Sequence, residues 1–248
     1  MKKTIYALLL VISIIELGCQ SIARRDLKVV DFITILDQNF EVGKPNLRDT
    51  MAITVIDFDN IRTFVVPFHN ERRNTTILPN GNTTEGSTTY DTTFVYCLFE
   101  KGSKVGLRYD SLSSVLPKKF PVDSLLNRIN IGKEQLYWNA IAEGKLEYSL
   151  RNNKTNELIE ERYFSKKDAT VDSTYRYFNP SMKGVDFTIA PSIDKKYNSK
   201  LIKIVNISIK DRIRNVLKTE IKEGDLKEPL PIIKLIERFT KDKQIKLK

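Results

Sequence analysis

The chain of 248 residues predicts an α+β fold: a mostly antiparallel sheet built from hairpins, with two to four helices on one face. Three observations predict it. Short β-branched and aromatic runs recur with turn residues between them, the mark of sequential strands that pair as hairpins. Apolar residues reach helical spacing only in the middle of the chain and at its C-terminal end. No repeat of fixed period and no linker divides the sequence, so residues 24–248 are expected to share one core.

Residues 1–23 read as a targeting segment. Lys2 and Lys3 precede an apolar stretch from Ile5 to Ile15, within the roughly 7–15 residues such signals use and short of the about 20 that a membrane span needs. Ser21-Ile22-Ala23 offers small residues for cleavage after Ala23. Leu17-Gly18-Cys19 resembles a bacterial lipobox, with Glu16 where an apolar residue is usual. That resemblance implies cleavage before Cys19 and a diacylglycerol on its thiol. The second cysteine, Cys97, lies in the apolar run "TFVYCLF", where a buried thiol acts as a small hydrophobe. A Cys19–Cys97 disulfide is the third reading of the pair.

Residues 20–30 read as a tether. "LKVVDFITILDQNF" fits strand and helix templates equally. "MAITVID" and "IRTFVVPF" are strands around a tight turn at Asp59-Asn60. Residues 69–93, rich in Asn, Thr and Gly, are expected as a long polar loop with a turn at Asn80-Gly81 and at most a short strand at Ile77-Leu78. "FVYCLFEKGSKVGLRYDSL" is a hairpin around Lys101-Gly102-Ser103. Val122, Leu125, Leu126 and Ile129 then predict a helix after Pro121. Leu136, Trp138 and Ile141 predict a second over 132–144, stopped by Gly144. "KLEYSLRNNKTNELIEERYFS" is a further hairpin, and "STYRYFN", "VDFTIAP" and "KLIKIVNISIK" are strands. Ile232, Ile233, Leu235, Ile236 and Phe239 predict a closing amphipathic helix that runs into a lysine-rich tail.

The net charge of +10 falls by one when Lys2, Lys3 and Glu16 leave with the leader, so the mature chain is basic. With 41% hydrophobic and 29% charged residues the composition is that of a globular protein. The excess of lysine fits anionic lipid or polysaccharide, or a solvated basic surface without a dedicated partner, and export argues against nucleic acid. The expected partners are an envelope protein, a peptide or a glycan, with membrane contact through the N-terminal lipid. The lysines of the closing helix fit either a solvated terminus or an anionic membrane surface.

His69 is the only histidine, which removes H-E-x-x-H zinc chemistry. The chain has no Walker A loop, no G-x-G-x-x-G and no G-x-S-x-G. No metal and no cofactor are expected, and no catalytic set is evident. One motif points the other way. "ITVIDFDNIRT" resembles the first motif of the haloacid-dehalogenase-like phosphatases, an apolar strand followed by D-x-D. The resemblance implies Asp57 as nucleophile, Asp59 as acid/base and Mg²⁺ between them. Ile61 stands where that family usually has Thr or Ser. Beside this reading stands a plain one, in which Asp and Asn simply favour a tight turn.

Two surface features complete the reading. Tyr163, Tyr175 and Tyr177 with Arg176 suggest an aromatic stripe on the later strands that would hold a sugar or peptide by stacking, or else cross-strand packing. Asp followed by Ser or Thr and then an aliphatic residue, Met or Thr resembles the O-glycosylation signal of one group of Gram-negative bacteria. It implies acceptors at Thr50, Thr92, Ser111, Ser124 and Ser173. The sequence thus describes an exported, lipid-anchored protein of the Gram-negative envelope, at the periplasmic face of a membrane or free in the periplasm. Its role would be binding or assembly, and the alternative is a secreted phosphatase centred on Asp57 and Asp59.

Overall fold

A computed structural model describes residues 27–39, 47–77, 83–128, 144–155, 157–165, 171–210 and 213–246. The leader, Cys19, the Asn80-Gly81 turn and all but the last residue of the helix expected over 132–144 lie outside the described residues.

The chain builds one eleven-stranded antiparallel sheet in the order β6-β5-β4-β3-β2-β1-β11-β10-β9-β8-β7. Strands β1 (Lys28–Asn39), β2 (Leu47–Phe58), β3 (Ile61–Ile77), β4 (Thr83–Glu100), β5 (Val105–Tyr109) and β6 (Lys118–Pro121) run outward as one meander. Strands β7 (Gly144–Arg151), β8 (Leu158–Ser165), β9 (Ser173–Asn179), β10 (Lys200–Lys210) and β11 (Ile213–Glu223) return as a second. The two meanders join where β1 pairs with β11, Phe32 opposite Ile221. The ambiguous "LKVVDFITILDQN" is therefore a central strand, flanked on both sides.

The expected hairpins form. Phe58 pairs with Ile61 across Asp59-Asn60, and Asp59 takes the left-handed conformation at φ 50° that Asp tolerates. In the β4–β5 turn Gly102 adopts φ 85°, which a side chain would strain. Asn152 caps the β7–β8 turn by accepting from the backbone N–H groups of Lys154 and Thr155 at 2.9 and 3.3 Å.

Three expectations fail for physical reasons. Within the polar segment 69–93, the described residues 69–77 and 83–93 are strands, not loop: β3 and β4 stay paired out to Ile77 opposite Thr83, because the threonines there are good strand formers whatever their polarity. "VDFTIAP" forms no strand. Its apolar residues plug the core instead, Phe187 meeting Phe32 and Phe64 edge-on at 5.9 and 6.2 Å, and Pro191 opens a helix. The helices do not share one face. Helices α1 (Val122–Arg128) and α2 (Pro191–Tyr197), with a 3₁₀ turn over Pro180–Gly184, cover a core of Phe32, Val55, Phe64 and Cys97. Helix α3 (Pro229–Lys246) lays Ile232, Leu235, Ile236 and Phe239 on Ile56, Tyr96, Leu98 and Tyr109. Neighbours such as Val55 and Ile56 are both apolar and point to opposite faces, so this half of the sheet needs cover on both. Ile233, expected inward, is only half-buried.

Candidate functional site

The site forms where β2 and β3 separate. Their ladder runs only from Phe58–Ile61 to Thr54–Val65. Beyond it β2 stays with β1 as far as Leu47 opposite Gln38, while β3 stays with β4. Pro67 lies just past the last shared pair, where an edge tolerates a missing backbone donor. The fork opens on the α1 face, and a cavity of about 450 Å³ occupies it. Met51 of β2, Val66 and Phe68 of β3 and Val95 and Cys97 of β4 supply its walls, closed by Phe120 and by Leu125 of α1.

Gly106 allows Phe120, one wall of this cavity, to approach β5 closely. A Cβ there would stand 2.6 Å from the Phe120 ring and 2.7 Å from the Leu98 carbonyl oxygen, so only glycine lets Phe120 lie flat over β5. Phe120 in turn meets Phe99 edge-on at 6.4 Å.

Arg108 of β5 also lines the cavity. Its guanidinium stands 5.8 Å from the centre of the Phe68 ring, and one terminal nitrogen pairs with Asp110 Oδ1 at 2.9 Å. Lys118 Nζ holds the other Asp110 oxygen at 2.9 Å. The Lys118 hydrogen bond, against some burial, and then the Arg108 charge hold the Asp110 carboxyl below its ordinary range.

Cys97 is a free, buried thiol, as its apolar run predicts. Burial pushes it up to about 11, so it is protonated at neutral pH and inert as a nucleophile. His69 lines the cavity but is itself exposed, its Nδ1 3.0 Å from Thr92 Oγ1.

The D-x-D carboxylates are held apart in role. Asp57, 7% exposed, accepts two hydrogen bonds from Arg62 at 2.7 and 2.6 Å and a third contact from Lys101 at 3.2 Å. Asp186 joins the same pair of cations at 2.6 and 3.3 Å. Two cations and two carboxylates thus close a neutral network that ties the β2–β3 hairpin to the β4–β5 turn and to the segment before α2. Burial lowers Lys101, but its hydrogen bonds to Asp186 and Asp57 outweigh that and raise it. Asp59 sits exposed in the turn. The arrangement implied by the phosphatase resemblance, two carboxylates at the C-terminal end of a parallel strand, is not found among the described residues, where β2 pairs antiparallel with both β1 and β3. Beside the network a second hollow of about 470 Å³, lined by Arg62, Lys101, Lys104, Asp186 and Phe187, opens on the other side of α1. Among the described residues no cluster of His, Cys, Asp and Glu could hold a metal, and no helix is long and apolar enough to cross a membrane.

The aromatic stripe divides between two faces. Tyr163 and Arg176 point to the α1 face and are buried, Arg176 at 0% exposure and paired with Glu161. They cannot touch a surface ligand. Tyr175 and Tyr177 do share the opposite face. There Arg162 lies between Phe164 and Tyr175 at 4.5 and 4.9 Å, and Lys203 stands over Tyr177 at 4.6 Å. Of the O-glycosylation acceptors, Thr50, Thr92, Ser111 and Ser124 are exposed. Ser173 is 6% exposed in β9, out of reach of a transferase acting on the folded chain.

Of the cavity-lining residues, Cys97, His69, Pro121, Ser124 and Leu125 are singled out by the sequence, none of them as part of a cavity. Alternation placed Val66 and Phe68 on one face, but nothing local shows that β2 leaves β3 after four further residues.

No protein-family model matches the chain, and no curated protein does. Among solved structures it is similar to a LolA superfamily protein from Nitrosomonas europaea, at 9% identity and a TM-score of 0.26, over 80% of this chain and 87% of that one. It is also similar to a DUF1329 family protein from Desulfovibrio piger, at 10% identity and a TM-score of 0.19, over 81% and 87% of the two chains.

Proposed function

We propose that this chain is an exported cell-envelope binding protein, tethered to a membrane through a lipid on Cys19, that takes an apolar chain into the cavity at the sheet fork. The cavity carries the reading. At about 450 Å³ it lies within the roughly 300–1,000 Å³ of small-molecule sites, and its wall is apolar with few polar groups, as such sites are. Asp57, the nucleophile of the phosphatase resemblance, is committed to Arg62 and Lys101, Asp59 lies exposed in the turn, and the Cys97 thiol is held protonated.

Native mass spectrometry of the full chain made in a Gram-negative host tests both halves. A bound apolar molecule lost in Val66→Trp, which fills the cavity, supports the binding role; a wild-type protein that carries and accepts no such molecule ends it. A lipid-sized mass on a chain beginning at Cys19, lost in Cys19→Ala, supports the tether. A lipid-free chain beginning at Arg24 removes it.

A second reading rests on Tyr175 and Tyr177 with Arg162, on the face away from α1: stacking of a glycan on that surface. Loss of array binding in Tyr177→Ala supports it, and an array with no saturable ligand ends it.

A further inference from the structure

We propose that the cavity selects single-chain amphiphiles with an anionic head, carboxylate or phosphate, and that Arg108 is the group that holds that head. The inference rests on the reading of the cavity as a binding site for an apolar chain and adds which such molecule it takes.

Among the described residues, Arg108 is the one permanently charged side chain in the cavity lining. Its side chain is 39% exposed with Nε shielded from solvent, the disposition expected of an arginine that joins an apolar interior to water. A chain lying against Phe68 and Phe120 would bring its polar end to this guanidinium.

The guanidinium is only partly committed. It meets Asp110 through one nitrogen at 2.9 Å rather than as a two-pronged pair, and its Nε, shielded from solvent, makes no hydrogen bond. Asp110 is shared with Lys118. Two cations on one carboxylate leave a net positive charge at the solvent edge of an otherwise apolar cavity, which attracts an anion. The planar fork of arginine suits both carboxylate and phosphate.

Calorimetric titration of the full chain with dodecanoate, monododecyl phosphate, dodecanol and dodecyltrimethylammonium, each below its micelle threshold, tests this. The anions should bind about tenfold more tightly than the alcohol, as one charge-assisted hydrogen bond would give, and the cation more weakly than either. Arg108→Gln should bring the anions down to the affinity of the alcohol, a larger loss than any the alcohol itself shows, and Arg108→Lys should keep part of the preference. Comparing dodecanoate with monododecyl phosphate tells which head is preferred. Equal binding of anion and alcohol to the wild type overturns the proposal, with no variant needed, and leaves the apolar cavity standing. An equal loss for both in Arg108→Gln also overturns it, since that marks a packing role. If none of the four binds, the cavity reading falls together with this one.

Discussion

Arg176 Nη1 lies 3.3 Å from Glu161 Oε2 across the β9–β8 ladder, on a face where neither side chain meets solvent to any extent. Tyr163 donates its hydroxyl to the same carboxylate oxygen at 3.0 Å, and its ring lies 4.8 Å from the guanidinium. This is a charged pair built into the α1-face core, beside Phe178 and Leu158.

Breaking that pair from one side should cost far more than removing it. Arg176→Met leaves Glu161 buried and uncompensated, a loss of about 3–5 kcal/mol, whereas Arg176→Met with Glu161→Gln should recover most of it. Urea unfolding of the wild type, the single and the double variant measures the difference. A double variant no more stable than the single would show that packing, not charge, is what Arg176 supplies.

Gly106→Ala should destabilise by about 1–3 kcal/mol, the usual range for forcing extra atoms into a packed core. The new methyl cannot avoid both the Phe120 ring and the Leu98 carbonyl. Phe120 lines the cavity, so apolar-probe binding should change with stability. Unaltered binding in a destabilised Gly106→Ala would mean that Phe120 does not shape the cavity.

The thiol of Cys97, pushed up to about 11 by burial, should resist a disulfide reagent at pH 8 and react fully once the chain is unfolded. Occupancy of the cavity should slow the residual reaction further, because Cys97 forms part of its wall. A thiol that reacts at the rate of a free cysteine in folded protein would contradict this burial.

Asp186 gives a pH dependence with a definite sign. The Lys101 hydrogen bond, against some burial, lowers its folded pKa, so its contribution is complete above the ordinary Asp value of about 3.9 and is lost as pH falls through the lowered one. Lys101 is raised, so its part is complete below the ordinary Lys value of about 10.4 and is lost as pH climbs through the raised one. Asp186→Asn should therefore flatten the thermal midpoint at the acid end and weaken the alkaline dependence. Unchanged profiles would show that the four-residue network adds nothing in solution.

Part of this architecture is written locally. The turn at Asp59-Asn60, the glycine at 102 and the Asn152 turn are set by residues that favour those backbone angles, and each appears where the residues place it. The spacing of Leu235, Ile236 and Phe239 likewise suffices to make α3 and choose its buried side. β11 is not among the expected strands, although its charged Arg214, Lys218, Glu220 and Lys222 alternate with Ile213, Leu217 and Ile221; β1 and β10 both offer it a partner.

Residues a few positions apart suffice to set the hairpins, the antiparallel sense of the sheet and the amphipathic closing helix, because each depends on local neighbours. The tertiary structure alone decided that helices cover both faces, that Arg176 is buried against Glu161 while Tyr175 and Tyr177 face outward, and that Asp57 is spent on Arg62 and Lys101. It also made the cavity, which exists because β2 follows β1 while β3 follows β4. That choice between competing long-range ladders is settled by packing across the whole sheet and leaves no trace in any short stretch of chain.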